Sequence, residues 1–313
     1  VYGIGFVLDP DEANRLLGKS ERNREVLFPY LTGEDLNSSP DQMPSRWVVN
    51  FRDWSYERAC EYPECLEIIR QRVKPERDGN ARKARRERWW QYGDYAVGME
   101  SAIKGLTSVI VKSEVGNMLS FAILPTNMVF SHMVLVFAQD RPEFLATLQS
   151  SIHELWARHF GSSMRTDLRY TRSDCVETFP FPGFETSTRL RSIGVDYEKH
   201  RKHLMLGRHE GLTKTYNRFH DSNEASDDIR KLRQLHVEMD HAVATVYGWM
   251  DLNLGHGFHE TKQGTRYTIS ESARREVLAR LLKLNYERYA EEEAEEPNDK
   301  KKSKGTQSKT AVT

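Results

Sequence analysis

The amino-acid sequence predicts an α+β fold, in which a mixed-sheet region is followed by a mainly α-helical region. Short runs of β-branched and aromatic residues alternate with helical stretches over residues 1–183, a pattern typical of sheets with helices beside them. Residues 184–290 instead carry helical periodicity in long segments. Residues 291–313 are an acidic block followed by lysine-rich sequence, a composition that predicts a disordered charged tail.

Within residues 1–183, strands are predicted where valine, isoleucine and aromatic residues concentrate. These segments are Val1–Leu8, Arg46–Phe51, Ser108–Val111, Leu119–Ile123 and Met128–Phe137. Helices are predicted at Asp11–Leu17, Ser55–Arg72 and Arg141–Phe160, the last because large apolar residues recur there at helical spacing. Pro180 and Pro182 prevent regular structure just before Gly183, which we therefore place at the domain boundary.

The second region is predicted to contain helices at Asp196–Leu206, Asp227–Tyr247 and Ile269–Tyr289. The middle helix has a single apolar stripe, formed by Leu232, Leu235, Met239, Val243 and Val246. Asp227 or Asp228 suits its N-cap, and Gly248 suits its C-terminal end. The predicted domains are therefore 1–183, 184–290 and the tail 291–313.

Composition limits the classes of protein that the chain can belong to. Charged residues make up 29% of the 313 residues, but the formal net charge is zero, so any nucleic-acid surface requires local segregation of charge. No apolar run reaches the roughly 18 residues of a membrane span, and the first residues lack the basic-then-apolar organisation of a signal peptide. Three scattered cysteines do not form a disulfide framework, which is typical of a reduced cytoplasmic protein.

The chain starts at Val1 without an initiator methionine and is strand-like from the outset. We expect it to be a fragment from the C-terminal end of a larger protein.

Charges alternate at Arg165, Asp167 and Arg169 within a stretch that reads as extended. In a strand these three side chains would share one face. An arginine can donate to guanine and an aspartate can accept from the cytosine amino group, so this face could read a base pair. The alternative is an exposed strand whose charges compensate one another.

The strongest local charge bias lies between Lys74 and Trp90, where seven basic residues face three acidic ones and Trp89-Trp90 ends the run. The basic residues are Lys74, Arg77, Arg82, Lys83, Arg85, Arg86 and Arg88. Such a run beside aromatic residues suits contacts with DNA phosphates. The alternative is a solvated helix face whose side-chain stems cover apolar surface.

A second basic–aromatic group surrounds the predicted strand Arg46–Phe51. Alternation places Trp47, Val49 and Phe51 on a core face. Arg46 and Arg52 would then face solvent or DNA. The core interpretation of the aromatic residues is favoured here.

An ordered series of motifs resembles the C-terminal part of the MmeI-like restriction–modification enzymes. It includes Phe28-Pro-Tyr-Leu-Thr-Gly-Glu-Asp-Leu-Asn37, Pro44-Ser-Arg-Trp-Val-Val-Asn-Phe-Arg-Asp-Trp54, Val73-Lys-Pro-Glu-Arg77, Trp89-Trp90-Gln91, Leu148-Gln-Ser-Ser-Ile-His153, Arg169-Tyr-Thr171, Ser173-Asp-Cys-Val-Glu-Thr-Phe-Pro-Phe-Pro182, Gly211-Leu-Thr-Lys-Thr-Tyr-Asn217 and Tyr247-Gly-Trp249. The resemblance covers roughly residues 3–290. It implies a target-recognition domain in the major groove of double-stranded DNA, followed by a helical domain that closes around the duplex or braces the recognition domain against the methylase.

The resemblance also implies roles for individual residues. Arg165 would read the guanine and Asp167 the cytosine of one G·C pair, and Arg169 would contact the neighbouring base pair or a phosphate. The basic run would grip the duplex along one flank. The two C-terminal motifs, at 211–217 and 247–249, would pack the helical domain internally, and a DNA role for Lys214 stays open.

Catalysis would belong to the parent enzyme, an adenine-N6 DNA methyltransferase of a kind also found in phage defence, with or without a fused endonuclease. That enzyme would need S-adenosylmethionine, and Mg²⁺ if it cleaves DNA. This sequence contains neither the glycine-rich cofactor loop nor an Asn-Pro-Pro-Tyr-type motif, so no catalytic residue and no cofactor are assigned to it. One alternative is a free-standing DNA specificity subunit that works with separate catalytic chains.

A self-sufficient nuclease built on Glu57, Glu61 and Asp94 is a weaker alternative. The histidine pairs, such as His200 with His203 and His256 with His259, lack the companions that a metal site requires. We therefore predict no metal site.

Overall fold

A computed structural model describes residues 4–93, 96–164, 167–183 and 187–305. The α+β class is confirmed, with sheets concentrated before residue 170 and long helices after residue 187. The first half of the chain contains β1 (Val7–Leu8), α1 (Pro10–Lys19), β2 (Leu27–Leu31), α2 (Gly33–Ser38), β3 (Arg46–Val49), α3 (Tyr56–Ala59), α4 (Pro63–Arg72), α5 (Lys74–Asp78), α6 (Lys83–Glu87) and α7 (Val97–Ile103).

The remaining elements, which begin with a series of short strands, follow in chain order. They are β4 (Ser108–Ser113), β5 (Val115–Gly116), β6 (Ala122–Pro125), β7 (Val129–Phe130), β8 (Val134–Phe137), α8 (Pro142–Gln149), α9 (Ser151–Phe160), β9 (Ser162–Met164), β10 (Asp167–Arg169), α10 (Thr188–Arg208), α11 (Leu212–Phe219), α12 (Asp227–Val246), β11 (Gly257–Thr261), β12 (Gly264–Thr268) and α13 (Glu271–Gly305).

The strands of the described residues form small sheets rather than one large sheet. The first has the order β1-β3-β2-β7 and is mixed, since β7 runs parallel to β2 while the other pairs are antiparallel. A second sheet, β6-β4-β8, is antiparallel throughout. The third, β5-β10-β9, holds the alternating charges that the sequence singles out.

Two long helices predicted from periodicity are interrupted in the structure. The segment Ser55–Arg72 divides into α3 and α4 because Pro63 starts a new helix, where its missing N–H costs nothing. The segment Arg141–Phe160 divides at Ser150, whose backbone is extended and whose hydroxyl accepts from the His153 N–H to cap α9. Periodicity located the apolar positions correctly but could not detect these breaks.

The predicted strand Met128–Phe137 is also divided, into β7 and β8 of different sheets. The chain turns at Ser131, whose hydroxyl accepts from the Met133 N–H at 3.3 Å. The predicted strand Leu119–Ile123 begins later, at Ala122.

Helix α12 matches its prediction closely. Its stripe residues Leu232, Leu235, Met239 and Val243 are buried. Gly248 follows with φ +77°, a left-handed conformation that ends helices and favours glycine. The N-cap is Ser226 rather than either aspartate.

Helix α13 extends past its predicted end at Tyr289 to Gly305, where the composition predicts a disordered tail. Glutamate, alanine and lysine favour helix, and the Tyr289 hydroxyl donates to Glu293 at 2.8 Å one turn later. Residues 306–313 lie outside the described residues. No helix that the structure describes has the length and apolarity needed to cross a membrane.

The largest apolar core does not divide at Gly183. It contains Phe121 and Trp156 from the first region together with Tyr197, Leu232 and Leu281 from the second. A separate core occupies the N-terminal part, between Phe6 and Trp90. The helical region is therefore packed directly against the elements that carry the third sheet.

The two C-terminal motifs join the regions, in contrast to the predicted packing within the helical domain. The Tyr247 hydroxyl donates to the Pro180 carbonyl at 2.9 Å. Gly211 lies so close to Ser38 that a Cβ there would be 2.4 Å from its backbone. Tyr216 is buried inside the helical region, and Lys214 is exposed.

Close packing of α10 on α8 requires a glycine at position 194. An added Cβ would lie 2.2 Å from the Pro142 carbonyl oxygen, a backbone atom that cannot move alone. We expect Gly194→Ala to lower the free energy of unfolding by about 1–3 kcal/mol through overpacking. Urea denaturation checks this.

The matched control is Gly207→Ala in the same helix, where an added Cβ meets nothing within 4 Å. This change should raise the free energy of unfolding by about 0.5 kcal/mol, because alanine favours helix over glycine. Equal effects of the two substitutions would contradict the close contact between α8 and α10.

Candidate nucleic-acid interface

The sheet β5-β10-β9, with β10 in its centre, carries the alternating charges. Asp167 pairs with Met164 and Arg169 with Ser162, so the chain reverses between β9 and β10. The predicted extended conformation is observed for Asp167–Arg169, which form β10. Arg165 lies outside the described residues, and its predicted contact with guanine stays a prediction.

Asp167 and Arg169 share the outer face of β10, as the spacing predicts. Leu168 between them is buried, while Asp167 is half-buried and Arg169 is exposed. Arg169 Nε donates to Glu114 Oε1 at 2.9 Å. An ion pair with this exposure contributes at most about 1 kcal/mol, so Arg169 can exchange Glu114 for a base or a phosphate. The charge pattern in the sequence does not indicate that Glu114 pairs with Arg169.

The inner face of β10 rests on a buried polar cluster. Leu168 and Tyr170 point inward, and the Tyr170 hydroxyl is 2.8 Å from His153 Nε2 of α9. Burial, followed by the nearby Lys112, lowers the pKa of His153 to about 3, so the ring is neutral at physiological pH. The outer, charged face is thus held on a fixed support.

Lys112 of β4 is the unusual member of this cluster. It is 2% exposed, its Nζ donates to the Ser113 carbonyl at 2.8 Å, and its ammonium lies 5.2 Å from the Tyr170 ring centre. Burial, followed by repulsion from Arg158, lowers the pKa of Lys112 from 10.5 to about 7. A charged lysine here costs stability.

The basic run between Lys74 and Trp90 divides into buried and exposed residues. Arg77 is 6% exposed, and its guanidinium donates to the carbonyls of Arg88, Trp89 and Gln91. The predicted phosphate contact by Arg77 is therefore wrong, because this side chain holds the following turn together. Sequence alone does not reveal the burial of an arginine on carbonyl groups.

Trp89 and Trp90 belong to the N-terminal core and are 7% and 9% exposed. Trp90 Nε1 donates to the Trp54 carbonyl at 2.9 Å. These rings pack inside the protein and cannot stack on bases in this conformation.

The other basic residues of this run lie at or near the surface. Arg82, Lys83, Arg86 and Arg88 are exposed, and Arg85 is half-buried beside Gly93. Lys74 pairs with Asp78 at 2.7 Å, Lys83 with Glu87 at 3.6 Å, and Arg86 donates to the Ala81 carbonyl at 3.2 Å. Helix α6 thus presents most of the cationic surface in this segment.

Arg46 and Arg52 are both exposed, but only Arg46 lies in a strand. Arg46 is 3.4 Å from Glu34. Arg52 follows the strand in a left-handed conformation, and its guanidinium lies over Phe28 and Trp54, 5.4 and 5.7 Å from the ring centres. Val49 and Phe51 are buried as predicted, whereas Trp47 is half-buried.

In the part of the chain that the structure describes, no three His, Cys, Asp or Glu side chains lie close enough together to hold a metal ion. His200 Nε2 lies 2.8 Å from the Asp228 carbonyl, and His256 Nε2 lies 2.8 Å from Asp240. Cys60 and Cys65 are both free thiols, and burial raises the pKa of Cys65 to about 12.

Comparison with known proteins identifies the family. Residues 2–183 match the family model of the MmeI target recognition domain, which covers more than half of the chain. The chain therefore belongs to this family. The match ends at Gly183, although the apolar core continues beyond it. No curated protein matches the sequence.

Among solved structures, the chain is similar to the Type IIL restriction–modification enzyme MmeI, whose structure was determined in complex with DNA. The two share 16% sequence identity with a TM-score of 0.62, which establishes a common fold. The similarity covers 91% of this chain and 34% of that enzyme. The chain thus spans about a third of the enzyme's length.

We expect Lys112→Met to raise the free energy of unfolding by about 2–4 kcal/mol at pH 6.5. Below pH 7 the lysine is charged in both states and its full burial cost is present. Between pH 7 and 10.5 the unfolded chain binds the proton more tightly, so the stability of the unmodified protein rises with pH. The gain from methionine should therefore shrink by pH 9.5.

Urea denaturation at pH 6.5 and 9.5 tests this, with the exposed Lys104→Met as the control that should show no such dependence. An equal gain from Lys112→Met at both pH values would show that Lys112 is not desolvated.

Proposed function

We propose that this chain is the DNA sequence-recognition part of a bacterial restriction–modification enzyme. Membership in the MmeI target-recognition family is the observation that carries this proposal. The charged outer face of β10, set on a rigid support, is the arrangement that base reading requires. The exposed cations of α6, with Arg46 and Arg52, would contact phosphates and position the duplex without choosing the sequence.

In this proposal Asp167 accepts a hydrogen bond from the amino group of a cytosine, and Arg165 donates to its paired guanine. Arg169 leaves Glu114 and contacts the neighbouring base pair or a phosphate. The reading residues can respond to DNA without disturbing the core because the neighbouring Leu168 and Tyr170, rather than Asp167 and Arg169, are buried.

The parent enzyme would methylate adenine at N6, using S-adenosylmethionine bound by an upstream domain. Mg²⁺ would serve a fused nuclease where one is present. The chain described here would direct that chemistry to its site. Its helical region, packed against the reading sheet through α9, would brace the reader against the catalytic part.

Selection of a randomised duplex library on the purified chain, first at low and then at physiological salt, tests the proposal. An enriched motif of several base pairs that survives the salt increase is expected. Unselective binding that collapses with salt would reduce the chain to a phosphate-binding module and would refute independent sequence reading.

The pair Arg165 and Asp167 can be tested by charge exchange. We expect Arg165→Glu combined with Asp167→Arg to change the preferred base pair at one position, with discrimination of about 1–3 kcal/mol. Repeating the library selection on this variant measures the change. Asp227→Asn, at an exposed aspartate outside β10, is the control and should select the original motif. Retention of the original motif by the exchanged variant would exclude this pair as the reader.

Phosphate contact by α6 and by the arginines that flank it predicts a different result. Arg82→Gln combined with Arg88→Gln should weaken binding to every sequence alike, and lower the slope of log affinity against log salt by about 0.9 per lost contact. Filter binding over a salt series measures this. The matched control removes the exposed pair Arg230 and Lys231 on α12, and should leave the slope unchanged. If the control lowers the slope equally, the effect reflects net charge.

A further inference from the structure

A cleft of about 620 Å³ lies in the helical region, between α9, the hairpin β11–β12 and the first turns of α13. We name it the α9–α13 cleft. Its volume falls within the range of sites that bind small molecules or segments of larger ones. None of the residues that the sequence singles out for DNA contact lines it.

The charge lining the α9–α13 cleft is unbalanced in favour of cations. Five basic side chains line it against three carboxylates. Two of these carboxylates already have cationic partners, since Glu154 pairs with Arg158 at 2.7 Å and Glu271 pairs with Arg275. The remaining cations are Lys262, Arg266 and Arg274.

Arg266 and Arg274 are incompletely satisfied within the described part of the chain. The Arg266 side chain is half-buried and forms no hydrogen bond or ion pair with a described residue, and its pKa is lowered by burial and then by repulsion from Arg158. Arg274 donates through Nη2 to the Glu260 carbonyl at 2.9 Å, but its buried Nη1 has no partner among these residues. Glu154 favours the charged form of Arg266 but does not outweigh burial and Arg158, so an anion in the cleft would offset the remaining cost.

The character of the wall favours a phosphodiester over a simple anion. Guanidinium groups bind phosphate oxygens through paired N–H donors. Hydroxyl groups of Thr261 and Thr268 add polar contacts, while Leu155 and Leu278 offer apolar surface to a deoxyribose. The neutral His220, whose pKa burial lowers to about 3, adds no charge.

The position of the cleft connects it to the reading sheet. Arg158 lines the cleft, and its Nη2 donates to the Asn117 carbonyl at 3.0 Å, immediately after β5. Helix α9, which forms one wall, ends at Phe160 and leads directly into β9. A duplex whose bases meet β10 would therefore have its backbone within reach of this side of the helical region.

From these observations we propose that the α9–α13 cleft binds a backbone phosphate of the DNA duplex, with Arg266 and Arg274 as its contacts. This inference rests on the proposed function. It assigns the helical region a direct part in gripping DNA, in addition to bracing the reader.

The test uses the whole chain and the duplex obtained by library selection. Arg266→Gln should lower the slope of log affinity against log salt by about 0.9, the contribution of one phosphate contact, and leave the selected motif unchanged. Its free energy of unfolding should be equal to or above that of the unmodified protein, because a desolvated charge is removed. Arg266→Lys, which keeps the charge, should retain the slope.

Lys283→Gln, an exposed lysine on the opposite side of α13, is the matched control and should have no effect on the slope. An Arg266→Gln variant with unmodified affinity and slope would overturn the inference, while the proposed function would stand if the motif were still selected. Failure of the unmodified chain to select any motif would instead refute the proposed function.

Inorganic phosphate distinguishes a free ligand from the DNA backbone. If phosphate raised the melting temperature of the unmodified protein but not of Arg266→Gln, and DNA affinity were equal in both, the cleft would bind a free phosphate compound. That result would overturn the DNA contact.

Discussion

The packing of helix α9 determines where strand β10 lies. On one side, His153 bonds to Tyr170, and Trp156 Nε1 donates to Thr178 Oγ1 at 3.1 Å. At its start, the Ser151 N–H donates to Asp240 of α12 at 2.7 Å. Because His153, Tyr170, Trp156 and Asp240 are buried, loss of a partner leaves an unpaired polar group that costs about 1–3 kcal/mol. The helix thereby fixes β10 relative to the helical region.

The segment after β10 is also held by hydrogen bonds and ring contacts. The Thr178 carbonyl accepts from Asn285 Nδ2 at 2.7 Å, and the Phe181 ring stacks on Phe144 with 5.0 Å between ring centres. Residues 178–181 form no regular structure, so side chains of the helical region satisfy carbonyl groups that a strand or helix would pair. This explains why the proline-rich sequence at the family boundary still belongs to the shared core.

A net charge of zero is compatible with DNA binding because buried charges and exposed charges are not equally available to a ligand. Arg201 and Arg233 are buried, and their terminal guanidinium nitrogens donate to protein acceptors. The exposed arginines pair with neighbouring carboxylates in arrangements that solvent and salt weaken, so a phosphate can replace the carboxylate at little cost. Net charge from sequence counts buried and exposed groups equally, and it therefore does not report the cationic surface available to a duplex.

Sequence alone predicted the apolar faces well and the partners of polar groups poorly. The stripe of α12 and the inward aromatic residues follow from local spacing, which a helix or strand imposes directly. Arg77 was misassigned because burial on carbonyl groups depends on where the chain returns, eleven residues or more later. The hairpin at β9–β10 was missed for the same reason, since alternation is equally compatible with one strand or with two. The side chains on the outer face of β10 can be replaced with little effect on the fold, because they contribute little to the core.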